Sequence, residues 1–255
     1  MTGESKQVQT TITNLGGGWE YSSVAEPFAN EVHVWEFRSD VPDYRTEKVV
    51  ALLAPEEKER GGRFHFQRDV QRFSVTHARM RSILGAYLQS DPRELTFASS
   101  PHGKPSIPDI TPDIRFNLSH SGDRAIVAIA TACEIGVDVE KVRENVECDQ
   151  LAERFFSPNE REFIRQLASE QKLSAFFRLW TCKEAFLKAH GAGLSRSLSS
   201  FDVRPGNSPG ELLKIRGDAS EEDRWSLVEL ESSAGYAAAA VVEGHLQRLK
   251  VFRIE

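Results

Sequence analysis

The sequence holds little that would tie it to a membrane, a nucleic acid or an oxidising compartment. Cysteine is scarce: Cys133, Cys148 and Cys182 are three in all, odd in number and without metal-site spacing. They read as reduced thiols in a cytoplasmic protein rather than as a disulfide framework or a zinc site. No apolar run is long enough to cross a bilayer, and the longest small one, Ala237 to Val242, suits a buried strand. No apolar leader with a cleavage site is visible at the start. Positive charge is not in excess: 32 Lys and Arg face 38 Asp and Glu, a net charge of −6, which argues against a nucleic-acid partner. Low complexity is confined to Met1 to Ala29, rich in Thr, Ser and Gly, which reads as a loose tail. No internal repeat is obvious.

What is present is ordinary in bulk and specific in detail. The 255 residues, 40% hydrophobic and 27% charged, can bury a substantial core in one large domain or two smaller ones. Val32 to Phe37 alternates as a first strand. Pro55 opens a short helix carrying Lys58 and Arg60, broken at Gly61-Gly62. Val70, Phe73, His77, Met80, Leu84 and Tyr87 then keep the three-and-four spacing of a buried helical stripe. Arg63, Arg68, Arg72, Arg79 and Arg81 lie in or beside it, as a solvated helix face or as a phosphate site. Ser99 to Pro105 is a loop by composition. Asn117, Ser119, His120, Ser121 and Gly122 lead into the strand Ala125 to Ala130, and such donors can ring an anion or make a plain turn.

In Ile135 to Glu140 the side chains alternate, so Asp138 and Glu140 share a face about 7 Å apart at the backbone. That pair alone also fits an edge strand with a wet outer face. Helix signals follow at Gln150 to Phe156, and a capping box at Ser157-Pro158-Asn159-Glu160. The next helix is expected from about Glu170 to His190, with Gly191 and Gly193 as its stop. Glu184 falls on its apolar stripe between Trp180 and Leu187. A Glu184–Lys188 pair within the helix is worth only about 0.2–0.5 kcal/mol. That is too little to offset a buried carboxylate, which needs a stronger partner or a cation. The remaining segments, Phe201 to Val203, Leu212 to Ile215, Trp225 to Leu230, Tyr236 to Val242 and Leu249 to Ile254, read as short antiparallel strands. Three acidic oxygen donors without His or Cys suit a hard cation, most simply magnesium, which shares such sites with substrate phosphates. The residues themselves thus point to a magnesium enzyme acting on a phosphoanhydride.

Gly136-Val137-Asp138-Val139-Glu140, followed by Trp180 to Lys188 and Gly191-Ala192-Gly193-Leu194, resembles the 4′-phosphopantetheinyl transferases, most closely the surfactin-synthetase-activating type. Pro55 through Arg72, Gly103-Lys104-Pro105, Asn117 to Gly122 and Phe155 through Glu160 extend the resemblance over roughly Val32 to Asp202. It implies an α+β fold of two similar halves related by a pseudo-twofold, here residues 30–133 on the nucleotide side and 134–255 on the catalytic side. It implies coenzyme A as substrate and apo acyl or peptidyl carrier proteins as partners; a monomer is expected. By the same resemblance Asp138, Glu140 and Glu184 would hold magnesium on the pyrophosphate, with Lys188 beside it. Arg60 and Arg72 would face the 3′-phosphate, and Gly103 and Lys104 would lie along the adenine. Asn117, Ser119 and His120 would contact the nucleotide or its phosphates, and Glu160 would stand near the reaction centre. Glu184 is the first candidate to accept the serine proton. One departure stands out: some relatives have lysine where Glu57 stands. A coenzyme A pyrophosphatase and a non-catalytic binding module are the rival readings.

Overall fold

The computed structural model describes residues 8–18, 21, 24–41, 47–191, 193, 196–203, 212–213 and 223–255. Met1 to Gln7, Ala192, Leu194 and Ile215 lie outside them.

Each half repeats one plan: a strand, two short helices, a 22-residue helix and two further strands. The first half contributes β2 (Glu31–Arg38), α1 (Glu47–Leu52), α2 (Pro55–Gly62), α3 (Gln67–Leu88), β5 (Ile114–Ser121) and β6 (Arg124–Thr131). The second contributes β7 (Ile135–Lys141), α4 (Cys148–Phe155), α5 (Pro158–Gln166), α6 (Ser169–His190), β9 (Trp225–Glu229) and β10 (Tyr236–Glu243). In both halves the last strand pairs antiparallel with the first and with the one before it, giving β2-β6-β5 and β7-β10-β9. The repeat that was invisible by eye is therefore one of topology. A two-residue strand β8 (Leu212–Leu213) extends the second sheet, and β3 (Ala98–Ser99) pairs with β4 (Pro105–Ser106) before β5.

Strand periodicity sorts the core into layers. Val32 and Val34 of β2 and Ile126, Ala128 and Ala130 of β6 face Val137, Val139, Ala238, Ala240 and Val242 of the other sheet. Trp35, Phe37, Phe116, Val127 and Ile129 turn the other way, onto Met80, Ile83, Leu84 and Tyr87 of α3. Ala237, Ala239 and Val241 likewise pack beneath Phe186 and Leu187 of α6. The order is helix, sheet, sheet, helix.

Two expectations are corrected at the termini. Within the expected loose tail, Gln9–Leu15 forms β1, although nearly all its side chains are exposed. Thr10, Ile12 and the other β-formers there bury little, so main-chain bonds to a neighbour carry the strand. That neighbour is β11 (Arg248–Ile254), which lies parallel to both β1 and β2 instead of antiparallel. Alternation marks a strand but is blind to the direction of its neighbour.

The two sheets are joined at β5 and β7 by side chains. Asn117 Oδ1, Ser119 Oγ and Ser121 Oγ accept from the backbone N–H of Val137 (2.9 Å), Val139 (3.3 Å) and Lys141 (3.1 Å). Period-2 spacing puts all three on one face of β5, so this short polar run satisfies an edge that β-strand pairing leaves open.

Candidate active site

Gly136 sets the geometry. A Cβ there would collide with Ala185 O and Ala189 N, so only glycine lets α6 lie this close on β7. The approach lays Glu184 and Lys188 of α6 over Asp138 of β7. Lys188 Nζ donates to Asp138 Oδ1 at 2.7 Å, to Ser119 Oγ at 2.9 Å and to Val137 O at 3.2 Å. Ser119 Oγ in turn donates to Asp138 Oδ1 at 2.8 Å, and Ser121 Oγ to Glu140 Oε2 at 2.7 Å.

The carboxylates are close enough to disturb one another. Burial pushes Glu184 above the usual carboxylate range, and Asp138 and Glu140 add to the push while Lys188 opposes it. Glu140 is raised as well, first by burial and then by Asp138, against the hydrogen bond from Ser121. Among the described residues no three His, Cys, Asp or Glu side chains are gathered as a finished ion cage. Lys188 and the two serines hold part of the acidic set instead. The donors nonetheless fit a hard cation. Asp138 Oδ2 is buried without a hydrogen-bond partner among the described residues, and the neighbouring acids are all oxygen donors. Asp138, Glu140 and Glu184 are the residues that could hold it.

Glu184 and Lys188 open onto a cleft in two adjoining parts that share Gly103, Pro105 and Leu118. The smaller, about 250 Å³, is lined by Lys104, Asn117, Glu184 and Lys188 among others. The larger, about 920 Å³, runs past Ser121 and His120 to Arg60, Arg72 and His77. Cations concentrate at that far end. Loss of hydration lowers the pKa of His120, and His77, Lys188, Arg60 and Arg72 lower it further. Arg72 Nε is buried and lacks a partner among the described residues, as a guanidinium waiting on an anion would be.

The 4′-phosphopantetheinyl transferase superfamily matches residues 134–241, and the N-terminal family of 4′-phosphopantetheinyl transferases matches residues 42–133. The 4′-phosphopantetheinyl transferase HetI of Nostoc sp. is 37% identical over 218 residues, 85% of this chain and 89% of that protein. The chain belongs to the 4′-phosphopantetheinyl transferases, of the Sfp-like type. The 4′-phosphopantetheinyl transferase Sfp of Bacillus subtilis is 35% identical over 158 residues, 62% of this chain and 69% of that one. A holo-(acyl-carrier-protein) synthase of Bacillus anthracis, solved with CoA, aligns over 45% of this chain and 99% of its own at 28% identity and a TM-score of 0.36.

The remaining sequence-predicted site residues of the transferase divide between cleft and scaffold. Lys104 lines the smaller part, but its Nζ donates to Glu134 Oε2 at 2.6 Å and to Ala189 O at 3.3 Å, tying the loop to the end of α6. Asn117 also lines it while its Oδ1 serves the β5–β7 joint. Glu160 is not brought to the carboxylate cluster. Its Oε2 accepts from Ser157 N at 3.0 Å, completing the capping box, and its Oε1 accepts from Lys183 Nζ and Val203 N, both at 2.6 Å. Lys183 also donates to Phe201 O at 2.6 Å, so this fully buried pair pins α5, α6 and the Phe201 segment together. Sequence reasoning left three participants without the roles they take here. Ser121 is betrayed only by its i, i+2, i+4 spacing from Asn117 and Ser119. Lys183 and His77 look like helix-stripe residues until their partners are seen.

Proposed function

We propose that this transferase moves the 4′-phosphopantetheine group of coenzyme A to a serine of an apo acyl or peptidyl carrier protein, with magnesium, releasing 3′,5′-ADP. The observation that carries this reading is the polarity of one cleft. Glu184 of the acidic cluster lines one end, and Arg72, whose Nε has no partner among the described residues, lines the other with two imidazoles. A nucleotide with a pyrophosphate and a separate phosphate monoester matches that layout. Asp138, Glu140 and Glu184 would hold magnesium, which when bound supplies a Lewis acid for the pyrophosphate. Lys188, already shared between Asp138 and Ser119, would offset charge on the departing nucleotide.

The serine oxygen forms its bond to the β-phosphorus as the phosphoanhydride P–O bond breaks, and the serine proton passes to Glu184. Glu184 lines the cleft beside Lys188, where a carboxylate can take that proton directly or through a water. Both halves of one chain line the cleft, which supports action as a monomer. No helix among the described residues is long and apolar enough to cross a membrane, and the reading is of a cytoplasmic enzyme.

Intact-mass analysis of an apo carrier protein with coenzyme A tests this. A gain of one phosphopantetheine that needs magnesium and stops with chelator is expected. Release of 3′,5′-ADP without any gain in carrier mass would instead mean a pyrophosphatase, and no turnover at all a binding module.

A further inference from the structure

Glu57 stands at the cationic end of the cleft with the sign that repels phosphate. Its bonds explain its presence. Oε2 accepts from Ala54 N at 2.8 Å and from Arg81 Nε at 2.6 Å, while Oε1 meets His77 Nδ1 at 3.2 Å. Arg81 also donates to Pro92 O at 3.0 Å and Leu95 O at 2.9 Å, so the carboxylate is anchored to a rigid neighbour. With Nδ1 turned to Glu57, Nε2 is the ring nitrogen of His77 left for the cleft. Phe73 fixes the ring from the side, 4.1 Å away between centroids, and Arg60 lies over that same phenyl ring at 5.4 Å. The charged and titratable groups that line the cleft with His77 are Glu56, Glu57 and Arg60 from α2, Asp69, Arg72 and Arg81 from α3, Arg93 from the following loop, and His120 from β5.

We propose that His77, oriented by Glu57, is a further phosphate-binding residue, donating from Nε2 to the 3′-phosphate of coenzyme A beside Arg60, Arg72 and His120. A carboxylate behind an imidazole fixes its tautomer and presents the Nε2 N–H of the protonated ring to the cleft. Glu57 is thus a positioning residue, and the preference for the phosphorylated nucleotide follows histidine protonation. This rests on the functional reading above.

The test is calorimetric binding of coenzyme A and of 3′-dephospho-coenzyme A, without magnesium, between about pH 5.5 and 8.5. The parent should favour coenzyme A most strongly at the acidic end. His77→Ala should cut that preference about tenfold at the acidic end, the worth of one charge-assisted bond, with dephospho-coenzyme A bound within about twofold of the parent. His77→Lys should keep the preference and flatten the part of its pH dependence that His77→Ala removes. Glu57→Gln should lower the preference while the ring remains. Equal weakening of both ligands in His77→Ala, or an unchanged preference, overturns the proposal by making His77 a packing residue of Phe73. A parent that binds neither ligand would overturn the functional reading itself, a distinct result.

Discussion

Glu184 and Glu57 are both glutamates inside the cleft, yet burial and partners drive them in opposite directions. Burial and the nearby acids raise Glu184, so the folded chain binds its proton more tightly than the unfolded chain does. Stability therefore falls as pH climbs from the ordinary glutamate value through the raised one, and at neutral pH the charge works against the fold. Glu184→Gln removes that charge at nearly constant shape. It should melt at or above the parent at pH 7 by calorimetry, while carrier modification falls about a hundredfold or more. A variant that transfers at the parental rate would return Glu184 to a plain intrahelical pair with Lys188. For Glu57, burial alone would raise the pKa, but hydrogen bonds from His77, Arg81 and Ala54 N–H outweigh it and hold the group at about 2. Its contribution is complete above the ordinary value of 4.5 and is lost as pH falls from there towards 2. Denaturant curves should show Glu57→Gln less stable than the parent by about 3 kcal/mol at pH 7, with the gap closing in acid. A gap that stays constant with pH would show that packing, and not charge, sets the difference.

Short helices are pinned to long ones by one device used twice. In α2 and in α5 a proline opens the helix and a glutamate two residues on bonds the N-cap N–H. The same glutamate takes a cation from the long helix behind: Arg81 for Glu57, Lys183 for Glu160. Arg81 and Lys183 hold the same position, counted from the first residues of α3 and α6. The two pairs differ in depth, since the Glu160–Lys183 pair is fully buried. Glu160→Gln strands an ammonium in the core, and chemical denaturation should show a loss of about 3–5 kcal/mol. Ser157→Ala removes only the cap and should cost about 0.5–2 kcal/mol. Equal stability of Glu160→Gln and parent, with lost turnover, would mean that Glu160 works in the reaction. The contact of α6 with β7 is equally exposed to test. Gly136→Ala must push α6 away, so melting temperature and transfer should fall together, and a variant with parental values of both would show that this packing is loose.

At the scale of the whole molecule, the pseudo-twofold duplicates the scaffold without duplicating the chemistry. Counted along their helices, Ser82 and Ala86 of α3 stand where Glu184 and Lys188 stand in α6. Both line a separate cavity of about 660 Å³ with Tyr21, Lys48 and Asp91. With a serine and an alanine in place of Glu184 and Lys188, those positions supply neither the metal ligand nor the lysine of the second half. Titration calorimetry should accordingly find one coenzyme A per chain. Two equivalent sites would show that the first half keeps a working copy.

Much of this was legible residue by residue because local periodicity encodes it. Strand alternation put Asp138 and Glu140 on one face, and helical spacing put Glu184 on the apolar stripe of α6. Gly191 ends α6 as its position after the stripe suggested, with a left-handed φ of 75°. The Ser157–Glu160 box formed as read, since four consecutive residues contain all of it. What stayed hidden depends on partners far away in the chain. The parallel run of β11 beside β1 and β2, the hydroxyl joint of β5 to β7, and the Lys183 partner of Glu160 are long-range pairings. The distinction between Glu57 as a misplaced charge and Glu57 as the anchor of His77 and Arg81 belongs with them. Sequence by itself determined which side chains point together within an element, because backbone geometry repeats every few residues. Only the tertiary structure decided which elements face each other, because that follows from the shapes of whole buried surfaces, down to the missing Cβ of Gly136.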